Sequence, residues 1–279
     1  MVSKARAFAP ANISCVFKIY EHKDPRWMGS YGVGFTLNEG VVIKVSRSKR
    51  NKIFFNNKPI NFPAVKSAAK KLTNGNLKIN IKSKLPLGCG FGLSGASALA
   101  AAYAINKLLN LKKAKKALGI IAHTADAENR TGLGDVVNQY YGGFCLKLKP
   151  SSYFSIKKIP INNIDVYCKY YSEISTKSVI TNPKLKNKIN NAAEESLKKI
   201  KELIKNNKNI QFKNIIKISK EFSISSGLLK DRQTIETINK IEKNKGNASM
   251  IMLGNAVFSD KRFKGATKFM ISDKGAHLL

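Results

Sequence analysis

Residues 85–106, LPLGCGFGLSGASALAAAYAIN, constrain this chain more than any other stretch. Gly88, Gly90 and Gly92 alternate, and Leu93, Ser94 and Gly95 lead into an alanine-rich apolar run without proline. Glycines carry no Cβ, so a backbone built from them can wrap closely around a bulky ligand and take positive φ. Strong helix formers over 96–109 predict a helix that ends near Asn110. Upstream, LKINI at 77–81 alternates apolar and polar residues, as a half-buried strand does. Strand, glycine loop and helix N-terminus in series make an anion site, because free backbone N–H groups and the positive dipole end face the ligand. The ligand expected there is a polyphosphate. No Gly-Lys-Ser/Thr follows and the spacing does not fit G-x-G-x-x-G, so the loop is neither a P-loop nor a dinucleotide fingerprint. Tight helix–strand packing is the bland alternative for such a loop.

At 279 residues, 43% of them hydrophobic, the chain can bury a sizeable core as one large domain or two closely packed ones. It has no apolar run of about 18 residues and its first ten residues lack the apolar stretch of a signal peptide, so neither a membrane span nor secretion is expected. Cys15, Cys89, Cys145 and Cys168 are scattered without metal-like spacing and read as free thiols in a reducing cytoplasm. Fifty Lys and Arg against 17 Asp and Glu give a formal charge of +33, which raises the question of nucleic acid. The lysines are spread among asparagine and isoleucine, without an arginine-rich arm or arrayed aromatics. A generally basic surface that favours anionic substrates is the better reading, with no dedicated nucleic-acid site.

The N-terminal half mixes strands and helices. A strand over 5–20 is expected to break at Pro10; a punctuated loop over 21–34 carries Arg26, Trp27 and Ser30; strands follow at 35–46 and 52–55, and a helix at 63–73. A helix over 113–129, with Ala117, Ile120, Ile121 and Ala125 on one stripe, stops at Asn129-Arg130-Thr131-Gly132-Leu133-Gly134-Asp135. An alternating strand follows Gly142-Gly143, and Pro150 closes this half. Beyond it come a strand at 165–170, a long amphipathic helix at 184–206, helices at 211–222 and 231–242, an apolar stretch at 248–258 and a strand at 268–272. The expectation is α+β, with domains at 1–150 and 151–279.

Asp135, a carboxylate between a glycine-flanked turn and a short helix, can accept a proton from a substrate hydroxyl, or can simply cap a helix. Ser94 can bind a phosphate or Mg²⁺ through its hydroxyl, or act as the helix N-cap. Asp126 and Glu128 lie in the last turn of a helix, where the negative dipole end disfavours acids, so Glu128 is a candidate Mg²⁺ ligand. A solvated helix end beside Arg130 is the alternative. His123 lies on the apolar stripe and reads as a core histidine.

Residues 86–95, PLGCGFGLSG, resemble the P-x-G-x-G-L-G-S-S-A loop of the GHMP kinases. Ala9-Pro10 before a strand resembles the N-terminal motif of that superfamily, and 249–258 sits where its C-terminal glycine motif belongs. Within it, AFAPANIS, DPRWMGSYGVGFTLNEGV, GCGFGLSGASALAAAYAIN, AHTADAENRTGLGDVVNQYYGG and ASMIMLGNAVF are similar to segments of the archaeal pantoate kinases, in the same order. The resemblance implies a ribosomal-protein-like N-terminal domain, a ferredoxin-like C-terminal domain and an active site between them. It implies ATP-dependent transfer of phosphate to the 4-hydroxyl of (R)-pantoate, on the archaeal route to coenzyme A. Carried over by position, Pro86, Gly88, Cys89, Gly90, Phe91, Gly92, Leu93, Ser94 and Gly95 hold ATP, Ser94 and Glu128 hold Mg²⁺, and Asp135 is the base or orienting carboxylate. Arg26, Ser30 and Arg130, then Asn12, Ser14 and Asn255, are the candidates for the acceptor. The Ala-Pro-Gly-His or Ala-Pro-Gly-Lys start usual in these kinases is here Ala-Pro-Ala11-Asn12. A GHMP kinase for homoserine or mevalonate and a basic RNA-binding protein of related fold are the rival readings. The residues do not fix the oligomeric state, a homodimer included.

Overall fold

The structure, a computed structural model, describes residues 3–161, 163–206 and 210–279. Two long antiparallel strands, β1 (Lys4–Tyr20) and β2 (Gly29–Arg47), carry the first sheet. β3 (Lys52–Phe55), β4 (Lys58–Pro59), helix α1 (Pro63–Lys70) and β5 (Leu77–Lys82) follow. Next come α2 (Leu93–Leu109), α3 (Lys115–Glu128), α4 (Asp135–Tyr141), β6 (Phe144–Lys147) and β7 (Lys157–Ile159). Then β8 (Asp165–Glu173) leads to α5 (Thr176–Ile180), α6 (Pro183–Asn206), α7 (Phe212–Ser225) and α8 (Arg232–Lys243). The chain ends with β9 (Ala248–Met250), β10 (Gly254–Ser259), β11 (Thr267–Met270) and β12 (His277–Leu278).

The strands form two sheets, one ordered β12-β1-β2-β5-β3-β4 with β6 and β7 branching from β2, the other β11-β8-β10-β9. The first sheet therefore takes β7 and β12 from beyond residue 150, and the sheets do not divide where Pro150 suggested. One buried cluster runs from Ile13 and Phe35 through Phe212 and Phe258, so the two sheets share a core. α2 lies at its centre, buried on nearly every side, as an alanine-rich helix without a polar face must be.

Pro10 does not break β1. The register instead shifts between Pro10 and Asn12 and again between Ser14 and Val16, two bulges that bracket Asn12 and Ser14. Bulges re-aim side chains without ending a strand. The punctuated loop is shorter than expected, because β2 begins at Gly29 and takes Ser30 into the sheet. On α3 the buried stripe is Leu118, Ala122, Ala125 and Asp126, rotated from the expected one, and Ala117 is exposed.

Candidate functional site

β5 hands the chain to the glycine loop, and the loop to α2. Gly92 stands at the N-cap with φ +62, a left-handed conformation that a side chain would strain. Ser94 is therefore not the cap but lies in the first helical turn. The loop is tied down by its carbonyls: Asn12 N donates to Phe91 O at 3.0 Å, Ile174 N to Gly88 O at 3.0 Å and Gln139 Nε2 to Gly92 O at 2.8 Å. Among the described hydrogen bonds none is donated by the N–H groups of Gly88 through Gly95. A loop anchored through oxygens and offering its N–H groups, at the positive end of a long helix, suits a polyphosphate.

The loop lines a cleft between the two sheets. Pro86, Gly88, Gly90, Phe91, Gly92, Leu93 and Ser94 line one side, and Ser14, Ser30 and Thr131 through Asp135 the other. Thr176, Ile180, Met252 and Leu253 close it from the second sheet's side. Cys89 is buried behind the loop, its thiol pushed up to about 11 by burial and by nearby Glu173, so it is inert filler.

Asp135 is the first residue of α4, after an N-cap at Gly134. It does not cap the helix, but its charge favours that N-terminus. Asn12 Nδ2 donates to its Oδ1 at 2.6 Å and Ser14 Oγ reaches the same oxygen at 3.5 Å. No described hydrogen bond reaches Oδ2. Burial raises the Asp135 carboxyl, while the Lys147 ammonium and the bonds from Asn12 and Ser14 pull it back.

Lys147 was missed in the sequence, where it stood out of step with the apolar alternation of 144, 146 and 148. It is 4% exposed, and its Nζ donates to Gly134 O at 2.9 Å and Ser30 Oγ at 3.4 Å. Burial lowers it to about 8, with Asp135 opposing that fall. Ser151, also missed, donates to Ser30 O at 2.9 Å and accepts from Ser30 N at 3.1 Å, fixing this corner.

The acidic metal-ligand candidate changes. Glu128 is exposed and turns to α1, where it accepts from Ser67 and pairs with Lys71 at 2.9 Å, while neither it nor Asp126 is itself a lining residue of the cleft. Asp126, two residues earlier on the rotated stripe, is the buried acid. Thr131 Oγ1 donates to its Oδ1 at 2.6 Å, and a Cβ on Gly132 would lie only 2.2 Å from its Oδ2. Its carboxyl is pushed up to about 7, first by burial and then by Asp135, against Thr131 and the nearby Ser94 hydroxyl. Ser94 Oγ is itself buried with no well-formed hydrogen bond. A buried hydroxyl close enough to the Asp126 carboxylate to lower its pKa, yet without a well-formed hydrogen bond, is a fit for Mg²⁺, which takes few protein ligands and keeps waters and phosphate oxygens. Among the described residues no three His, Cys, Asp or Glu gather as a self-sufficient metal site.

The remaining acceptor candidates divide. Asn12, Ser14 and Ser30 gather round Asp135 and Lys147. Arg130, with φ +55, lies in an adjoining hollow that shares Leu133 and Ile180 with the cleft. Arg26 is exposed and sits 5.4 Å from the Trp27 ring centroid, and it lines neither space. Asn255 donates to Ser172 Oγ at 2.8 Å and stands outside both. His123 is a core histidine, with Nε2 2.8 Å from Met28 O and its pKa lowered to about 4 by burial. Among the described residues no helix is long and apolar enough to cross a membrane.

Residues 62–143, which carry the loop, Asp126 and Asp135, match the family model of the GHMP kinases N terminal domain. A pantoate kinase of Methanocaldococcus jannaschii is 34% identical over 257 residues, covering 90% of this chain and 90% of that protein. One from Methanospirillum hungatei is 27% identical over 100% of this chain and 97% of its own. A solved structure of a phosphotransferase related to the CoA biosynthesis pathway superposes with a TM-score of 0.85 at 23% identity, over 99% of this chain and 98% of that one. Both the full-length match at this identity and the shared fold lead to one assignment: the chain belongs to the GHMP kinase superfamily, in its pantoate kinase family.

Proposed function

We propose that this kinase phosphorylates the 4-hydroxyl of pantoate with ATP, in the cleft between the glycine loop and Asp135. The observation that carries the reading is a cleft lined by the carboxylate of Asp135 and by the glycine loop with its undonated N–H groups, with the Lys147 ammonium buried just behind the lining residues Ser30 and Gly134. A hydroxy acid has two groups to be recognised: Asp135 would take the hydroxyl, and Lys147 would set positive charge behind the wall for the carboxylate.

The N–H groups of Gly88 through Gly95 and the N-terminus of α2 would bind the ATP phosphates, and Ser94 and Asp126 would hold Mg²⁺. Bound Mg-ATP supplies the phosphoryl group and offsets the charge that develops on it. Asp135 orients the acceptor hydroxyl and takes up its proton as phosphate is transferred. Asn12 and Ser14, both on Oδ1, hold that carboxylate in one rotamer. Lys147, with Ser30, provides the buried positive charge without which a substrate carboxylate would be costly to desolvate. Leu133, Ile180 and Met252 supply apolar surface that excludes water from the reacting centre.

The test is ADP release by the purified chain with Mg-ATP and pantoate, homoserine, mevalonate or no acceptor. Turnover with pantoate alone is expected. Turnover with another alcohol would keep the phosphotransferase and overturn the acceptor.

A further inference from the structure

A strongly basic hollow lies apart from this chemistry. It lies between α8 and the turn that leads into β11, opens to solvent and shares no lining residue with the catalytic cleft. Five cations from three segments converge there: Lys169 of β8, Lys240 of α8, and Lys261, Arg262 and Lys264 of the turn. Among the described residues no carboxylate lines it. The acids nearest in sequence are engaged elsewhere: Glu236 with Arg232 at 2.8 Å, Glu242 with Lys220 at 2.6 Å, and Asp260 with Asn247 at 2.8 and 2.7 Å.

Two of the cations are held in place. Lys261 Nζ donates to Asn244 O at 2.6 Å, and Lys169 Nζ sits 5.2 Å from the Tyr171 ring centroid. Ile241 and Phe263 give the hollow an apolar wall. A chain with 50 Lys and Arg must carry lysines almost everywhere on its surface. It need not gather five round one concavity without an acid, an arrangement whose self-repulsion a bound anion relieves.

We infer that this hollow is a second anion site, for a small phosphoryl-rich molecule with two or more phosphate groups. Its concavity and apolar wall suit a compact ligand better than a long backbone, which a flat basic face would serve. The shared chemistry is that of a free polyphosphate and of a nucleoside diphosphate, and the wall distinguishes them by the affinity it adds to a base.

The test is calorimetric titration of the full chain, its catalytic cleft filled by one equivalent of a non-hydrolysable ATP analogue with Mg²⁺ so that the hollow stays open, with tripolyphosphate and separately with ADP. Lys240→Gln/Arg262→Gln/Lys264→Gln is compared with Lys112→Gln/Lys113→Gln/Lys116→Gln, an equal loss of charge on another exposed segment. We expect one additional site, weakened about tenfold by the first triple change, the sum of three exposed charge contacts, and less than about twofold by the second. Tighter binding of ADP than of tripolyphosphate would identify a nucleotide as the ligand, and the reverse a free polyphosphate. No additional site, or equal weakening by both variants, would overturn the proposal. So would displacement of tripolyphosphate by a short RNA whose own binding depends on both clusters alike, since that is a diffuse field.

Discussion

Asn12 Nδ2 donates to Asp135 Oδ1 at 2.6 Å, joining the bulged middle of β1 to the first turn of α4 across 123 positions of chain. The amide cannot turn over, because its own Oδ1 accepts from Asn138 Nδ2 at 2.9 Å. Asn12 thus acts as a neutral strut for the carboxylate. The basic residue that the resemblance led us to expect at this point of β1 is absent, and positive charge enters from β6 through Lys147 instead.

Asp135→Asn should keep the shape of this corner and remove the proton acceptor. We expect kcat to fall by about 10²–10⁴, the range of general base catalysis, with the nucleotide dissociation constant changed less than about threefold. Steady-state turnover and nucleotide titration check it. Near-normal turnover would take Asp135 out of the base role.

Asn12→Ala removes the strut and leaves the Asn138 amide without its acceptor. It should cost about 1–3 kcal/mol of stability, the price of a buried donor left unmade. Urea unfolding reads that cost, and kcat should fall with less change in nucleotide affinity.

Asp126 and Glu128 offer a direct comparison on one helical turn. Asp126→Asn should raise the Mg²⁺ concentration for half-maximal activity by at least about tenfold, since the loss of one charged ligand from a sparse shell is not made good by waters. Glu128→Gln breaks only the clasp with Ser67 and Lys71 and should shift that concentration by less than about twofold, since exposed ion pairs contribute little. Equal effects would return the metal assignment to Glu128.

The loop, α2 and β5 were legible because their signals are local: glycine spacing, helix propensity and alternation each act within a few residues. Asp135 was legible because its turn isolates it between glycines and a short helix. Choosing Glu128 over Asp126 failed for a different reason. The two acids are separated by about 200° round a helix, and which of them faces inward depends on how α3 packs on α2, a property of tertiary contacts. Ile120 and Ile121 outweighed Leu118 and Ala122 in the sequence reading, yet the face that α3 buries is made largely of small residues. Lys147 was hidden in the same way, since a lysine at the end of a strand reads as exposed unless one knows that Gly134 O waits for it. The pairing of β7 and β12 with the first sheet is long-range, and nothing in residues 157–159 or 277–278 announces it.

His123 makes stability depend on acid. Its folded pKa, about 4, lies below the ordinary 6.5, so the unfolded chain takes up its proton first as pH falls. The stability held at neutral pH is therefore lost progressively between about pH 6.5 and 4, by up to about 3 kcal/mol from this group. His123→Gln, which cannot titrate, should show a shallower slope over that window in urea unfolding at stepped pH. An unchanged slope would assign the acid sensitivity to other groups.

Lys147 should set the alkaline limit of acceptor binding. Its ammonium, lowered to about 8 by burial, is charged below that pH and neutral above it. The KM for pantoate should accordingly stay flat up to about pH 8 and then rise towards tenfold per unit, while kcat at saturating pantoate changes less. Unfolding does not explain such a rise. The unfolded chain, with lysines near 10.5, binds the extra proton between pH 8 and 10.5, so this group's contribution to stability grows across the same window. Lys147→Met should raise KM at neutral pH and abolish its alkaline rise, leaving ATP affinity unchanged within about twofold. If the rise persists in that variant, the titrating group is another one, and the acceptor carboxylate is held elsewhere, with Arg130 in the adjoining hollow the next residue to change.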